Sequence, residues 1–357
     1  MKIKKKLAVT LTLMMTLSII STNNYALENN TGNETKKEQK EEIVIKKDKD
    51  DKKLEDTSDK IKNTLSVTRI SGSDRYDTSF KIQEFLTKDK FSYYAVFASG
   101  EGFSDALSAG ILAGEFEAPL ILVRKYSIPK VISDNYSRIL FGRSYLVGGT
   151  NSISKKVEDE IHKKISVTIR LAGKNRLDTA LSIYGPILEK RKELTLGDAY
   201  SSYNGYVYAD ALTAMPYMYQ LNKSTMGPHP LLPYAGEGTD IVFGGYNSVP
   251  KLENETTRIY GADRYKTAVE IAKAFKSNLN KDIDTIVLAS GEDYPDALCA
   301  GPLASSKNAA ILLTNSKTLN EDTREYIKSN TNIKNIIIVG GERSISSSVE
   351  NELKTLR

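Results

Sequence analysis

Arg69-Ile70-Ser71-Gly72-Ser73-Asp74-Arg75-Tyr76-Asp77-Thr78 returns as Arg170-Leu171-Ala172-Gly173-Lys174-Asn175-Arg176-Leu177-Asp178-Thr179, and again as Arg258-Ile259-Tyr260-Gly261-Ala262-Asp263-Arg264-Tyr265-Lys266-Thr267. Each copy continues into an Asp-Ala-Leu, at Asp105-Ala106-Leu107, Asp210-Ala211-Leu212 and Asp296-Ala297-Leu298. Each closes on a glycine pair after an apolar run, at Gly148-Gly149, Gly244-Gly245 and Gly340-Gly341. A period of roughly 100 residues is far longer than one turn of a solenoid, so each copy reads as a small domain. The copies occupy 67–165, 166–256 and 257–357.

Within a copy, strand and helix patterns alternate. In the first, Thr68 to Ser71 reads as a strand, Arg75 to Leu86 as a helix and Tyr93 to Ser99 as a strand. A helix from Asp105 to Glu117, a strand from Leu120 to Val123, a helix from Ile128 to Leu140, a strand from Ser144 to Val147 and a helix from Ser154 to Lys164 follow. Near-continuous apolar runs such as Thr285 to Ala289 and Asn335 to Val339 suit parallel strands covered on both faces. The expected fold class is α/β, with three tandem Rossmann-like, doubly wound modules built on parallel sheets.

The front of the chain is of another kind. Residues 1–26 join Lys2, Lys4, Lys5 and Lys6 to an apolar stretch from Leu7 to Ile20 and a small residue at Ala26, the layout of a signal peptide. The stretch is too short to cross a bilayer as a helix, so the mature chain is expected to be secreted, with no membrane span. Losing these four lysines lowers the formal charge from +5 to +1, so bulk charge gives no argument for nucleic acid. Residues 27–66 hold ten lysines and eleven acidic residues with few clustered apolar ones, and read as a solvated, flexible tether.

The motifs together resemble the cell-wall-binding repeat family of clostridial surface proteins, whose modules open on Arg-x-x-Gly-x-Asp-Arg-Tyr-x-Thr. They continue with Gly-x-x-Phe/Tyr-x-Asp-Ala-Leu, here Gly100 to Leu107 and Gly291 to Leu298, and close on Val-Gly-Gly. The resemblance implies that the modules pack as a pseudo-threefold intramolecular trimer. It also implies non-covalent anchoring to an anionic cell-wall glycopolymer, with other surface-layer proteins a second expected class of partner. The family's Ile-Leu-Leu element, tied to polymer binding, falls on Leu120-Ile121-Leu122 and Ile311-Leu312-Leu313. The second copy departs: Asn175 replaces the Asp, Leu177 the Tyr, and Leu231-Leu232-Pro233 the apolar triplet, which implies a weakened site and an edge or early-ending strand.

Arg75, Arg176 and Arg264 can meet acid groups of a polymer, or pair with Asp105, Asp210 and Asp296 of their own copies; recurrence of both members favours the pair. Arg69, Arg170 and Arg258 are left as candidate polymer contacts, as are Arg124 and Lys125 just after the first triplet. The three Asp residues read as helix caps rather than catalytic acids, because no second acid or base recurs beside them. Gly100-Glu101-Gly102 reads as a tight strand-to-helix turn that could also take a phosphate. Cys299 stands where Ser108 and Thr213 stand, a packing position, and the two histidines, His162 and His229, form no metal-ligand pair. No catalytic residue, metal or cofactor is expected, and no amidase activity.

Overall fold

The structure is a computed structural model of the 357-residue chain. It describes residues 64–357 apart from 89–91, 137–141, 194, 197–198, 226, 235 and 237. The expected signal peptide and all but the last three residues of the expected tether lie outside the described residues.

Among the described residues twelve strands form three sheets, each of four parallel strands. The first sheet runs β3 (Leu120–Val123), β2 (Tyr94–Ser99), β4 (Arg143–Val147), β5 (Val167–Leu171). The second runs β7 (Leu231–Pro233), β6 (Tyr200–Tyr203), β8 (Thr239–Phe243), β9 (Thr257–Ile259). The third runs β11 (Ala310–Thr314), β10 (Thr285–Ser290), β12 (Asn335–Val339), β1 (Ser66–Ile70). Val, Ile and Leu dominate β10 and β12, and β2 carries Ala95, Val96, Phe97 and Ala98; the residues of all three are almost all buried, as helices on both faces require.

Sequence copies and sheets are out of step by one strand. The strand that opens each copy completes the sheet of another: β5 the first, β9 the second, and β1, at the front of the described chain, the third. Ser66 through Ile70 pair with Asn335 through Val339, so the ring of modules closes where its two ends meet. The helix after each opening strand returns to its own copy, as Arg75–Thr87 packs on β3 and Arg264–Ser277 on β11. Each signature therefore spans a seam between two modules.

The signature supplies the local chemistry of that crossing. Asp74 and Asp263 cap the following helix, each accepting two backbone amides at 2.9 to 3.0 Å. Asn175, a departure by sequence, caps as well by accepting the Asp178 amide at 2.9 Å. Gly72 lies where a Cβ would stand 2.4 Å from the backbone of Asp77 and Thr78, and its amide donates to Thr78 Oγ1 at 3.0 Å. Gly173 with Thr179 and Gly261 with Thr267 repeat that bond.

The modules meet around three helices: Ser104–Phe116, Ala209–Ser224, and Ala300–Ser306 with the 3₁₀ turn before it. Five residues past each motif Asp stand Gly110, Met215 and Gly301, and a Cβ on either glycine would come within 2.8 Å of the Met215 side chain. One thioether fills the space that two absent side chains leave. Two residues before each Asp stand Phe103, Tyr208 and Tyr294, whose ring centroids lie 5.5 to 6.3 Å apart. These residues from three copies lie on the pseudo-threefold axis.

Pro233 sits in a three-residue edge strand, as a missing ladder donor requires. Of the helix expected from Ile128 to Leu140, the described residues form the turn Lys130–Ser133, opened by Pro129, and after a break at 134–135 Tyr136 is helical again; residues 137–141 lie outside the described set. Among the described residues no helix is long and apolar enough to cross a membrane.

Candidate ligand-binding clefts between the sheets

In each sheet the chain leaves its central strand in one direction and returns on the other side, placing a topological switch point between β2 and β4, β6 and β8, and β10 and β12. Clefts in parallel sheets form there, outside the carboxyl ends of the strands. Three clefts of about 400, 540 and 620 Å³ occupy these places. The first holds Asp105, Ser152 and Arg176, the second Asp210, Ser248 and Arg264, the third Asp296, Ser344 and Arg75. In every case the arginine comes from the next copy around the ring.

That placement corrects the expected pairing. Among the described residues no ion pair joins Arg75 to Asp105, Arg176 to Asp210 or Arg264 to Asp296. Instead Asp105 feels the charge of Arg176, and Asp210 that of Arg264. The exchanged opening strand is the cause, because it carries the signature turn onto the strand ends of the preceding module. Each arginine also ties its turn to its own copy, Arg75 donating to the Gly100 carbonyl at 2.6 Å, Arg264 to Gly291 at 2.6 Å, and Arg176 to Gly205.

The motif carboxylates line clefts rather than cap helices: Phe103 and Tyr208 hold the capping positions in the first two copies, and Asp296, which starts the 3₁₀ turn of the third, makes no capping hydrogen bond. Room for each comes from the first glycine of the pair. Gly148, Gly244 and Gly340 adopt φ of 118°, 115° and 107°, and a Cβ there would stand 2.6, 2.7 and 3.0 Å from the carboxylate. Ser152 and Ser344 donate to Asp105 and Asp296 at 2.6 Å. These serines went unread in the sequence, although each stands three residues after the second glycine in every copy.

Burial holds the carboxyls of Asp105 and Asp210 above their ordinary value, with Ser152 and Arg176 drawing Asp105 partly back, and Arg264 drawing back Asp210. A raised folded-state value costs no stability below the ordinary carboxylate range. The cost grows as pH rises through that range and is complete above the raised value. Asp210→Asn is therefore expected to raise the thermal midpoint at pH 7 and to leave it unchanged at pH 3, which differential scanning calorimetry at the two pH values would check.

The remaining candidate residues fall in two groups. Arg69, Arg170 and Arg258 are turned inward at 14, 15 and 5% side-chain exposure. They donate to the carbonyls of Gly340, Gly148 and Gly244 at 2.7, 2.7 and 2.9 Å and pair with Glu350, Glu158 and Glu255. They lock opening strand to sheet, and a polymer would have to break those bonds to reach them. Leu120, Ile121, Leu122, Ile311, Leu312 and Leu313 are at most 2% exposed and belong to the core. By contrast Arg124 is half exposed at the end of β3, over the Tyr76 ring at 4.4 Å and 3.6 Å from Asp74; Lys125, part-buried, lies over Tyr126. Two amides of the Gly100 turn are occupied, Gly100 on Val123 and Glu101 on Ser99. Cys299 is buried. Among the described residues no group of three or more His, Cys, Asp or Glu side chains is placed to hold a metal ion.

This arrangement has known relatives. A family model described as cell wall binding domain 2 matches residues 69–158 and 258–350, together just over half of the chain. The chain is 29% identical over 307 residues to the N-acetylmuramoyl-L-alanine amidase LytC of Bacillus subtilis, covering 81% of this chain and 58% of that protein. It is 25% identical over 303 residues to the amidase enhancer of the same organism, covering 82% of this chain and 40% of that protein. The chain thus spans about half the length of these relatives. Cwp6 from Clostridium difficile shares the fold, with a TM-score of 0.70 at 22% identity over 82% of this chain and 48% of that one. Because the family match takes in the signature, the Asp-Ala-Leu and the Gly-Gly of the first and third copies, the chain belongs to the cell wall binding domain 2 family.

Proposed function

We propose that this chain is a non-catalytic protein of the Gram-positive surface that holds to the wall without a covalent bond, by binding an anionic secondary polymer. The observation that carries the reading is one cleft repeated three times, with Asp, Ser and Arg in equivalent places, in a cell wall binding family. A carboxylate accepts from sugar hydroxyls and a guanidinium donates to hydroxyl or acid oxygens, so each cleft suits a saccharide.

Charge refines the assignment. Glu101 and Asp105 face the single Arg176 in the first cleft, and Asp74, Asp293, Asp296 and Glu342 face Arg75 and Arg343 in the third. Clefts so acidic take the hydroxyl-rich parts of a polymer. Its acid groups are met outside them, by cations such as Arg124 and Lys125. Three sites on one body multiply each other through effective concentration. Export by residues 1–26 and spacing by 27–66 complete the proposal.

The test is retention of the chain on purified walls before and after mild removal of anionic polymers, with peptidoglycan intact. Retention is expected to disappear with the polymer and to weaken as salt rises; retention on stripped peptidoglycan overturns the reading. Likeness to an amidase and an amidase enhancer favours, as a second reading, a modifier of a wall hydrolase. It would be supported by an added amidase whose rate changes when this chain is present.

A further inference from the structure

The second cleft departs from the others where it meets solvent, and the departures are aromatic. Tyr246 follows the glycine pair where Thr150 and Glu342 stand in the other copies, and Tyr260, just past the opening strand that the third copy lends to this sheet, takes the place of Ser71 and Ala172. Val207 replaces Gly102 and Asp293 in the lining of this cleft. Tyr246 and Tyr260 are 52% and 43% exposed and lie edge to face, with centroids 5.7 Å apart at 71°.

Both rings are fixed from beneath. The Arg258 guanidinium sits 4.2 Å from the Tyr246 centroid and is itself held by the carbonyls of Gly244, Val249 and Pro250 and the carboxylate of Glu255. Tyr260 lies against Gly245, where a Cβ would stand 3.3 Å from the ring. Rings supported in this way that keep about half their surface in water form a pre-organised contact. In the same cleft lie Asp210, only 7% exposed, and Arg264.

We propose that the second cleft, at the carboxyl ends of β6, β8 and β9, is a stacking subsite for one pyranose ring of a wall glycan. The sugar's C–H face packs on Tyr246 and Tyr260, and its hydroxyls donate to Asp210 and accept from Arg264. The proposal rests on reading the chain as a binder of wall polymer. A sugar is the occupant because the apolar area is confined to ring faces set around a buried carboxylate that needs hydroxyl donors. A purely apolar segment would leave Asp210 unsatisfied. The copy that reads as weakened in sequence is, on this geometry, the one adapted to a different part of the same ligand.

The chain has no tryptophan, so Y246W places a single indole reporter in the cleft. Titrated with saccharides released from purified walls by mild acid, its emission is expected to change to saturation, while Y93W, in a separate cavity away from the three clefts, stays constant. Y246A/Y260A is expected to bind walls about tenfold more weakly than the unaltered chain, and Y246F/Y260F to bind within about twofold of it. Matching thermal midpoints establish that both variants fold. The subsite is overturned if walls retain Y246A/Y260A as tightly as the unaltered chain, or if Y246W emission stays flat at saturating saccharide. Failure of walls to retain the unaltered chain overturns the polymer reading itself, a result separable from the other two.

Discussion

A chain cut to begin at Gly72 is expected to lose its last sheet and keep its first. The segment Thr64 to Ser71 contributes nothing to the sheet of β2, β3, β4 and β5, yet it covers the β12 edge of the third sheet along five residue pairs. Leu65 and Ile70, 5% and 7% exposed, are buried there, and each apolar side chain of this size contributes about 2 kcal/mol. Arg69 adds its bonds to Glu350 and the Gly340 carbonyl; without it the carbonyl would be left unpaired and Glu350 would keep Lys354 alone. Together the losses reach at least 5 kcal/mol, comparable to the whole stability of an ordinary domain. Hydrogen exchange followed by mass spectrometry would read the outcome directly. Peptides covering 285–314 and 335–354 should lose protection while those covering 94–123 keep it, and a synthetic peptide of residues 64–74 should restore it. Loss centred on 94–123 instead would show that the opening strand serves its own copy.

The same exchange explains which features could be read from the sequence. Strands and helices follow from periodicity and side-chain type, and Leu120–Val123 and Asn335–Val339 fall at the expected residues. Partnership between strands leaves no such trace. β1, β5 and β9 carry the same pattern, so each fits any sheet edge of this kind, and only the closed ring decides which one it takes. The Arg–Asp pairing inherits that ambiguity, which is why the recurring residues were legible and their partners one copy out. Leu120-Ile121-Leu122 shows a second limit: an apolar triplet at a strand position is core by physics, whatever a family resemblance attaches to it. The glycines around Met215 show a third, since spacing reveals their equivalence but only packing reveals that one side chain fills the place of three.

Glu115→Ala is expected to cost the folded unit about 3 to 5 kcal/mol, because it strands a guanidinium at a seam between copies. Glu115 is 7% exposed in the axial helix of the first copy, and its carboxylate accepts Arg191 of the second at 2.8 and 3.0 Å. Asn222 donates to it at 3.3 Å, Arg191 donates in turn to the Asn222 carbonyl at 2.9 Å, and the Lys190 ammonium meets the Glu115 carbonyl. At the equivalent places in the other copies stand Gln220 and Ser306, so this charged clamp holds one of the three seams. Removing one partner of a buried pair leaves a desolvated charge, whereas removing both with matched volume does not. Glu115→Ala should therefore lower the thermal midpoint on the order of 10 °C, and the double variant Glu115→Leu with Arg191→Met should recover most of that drop. A single-variant loss below about 1 kcal/mol would mean that water reaches Arg191 at this seam, and that the modules are held there by the packing around Met215 alone.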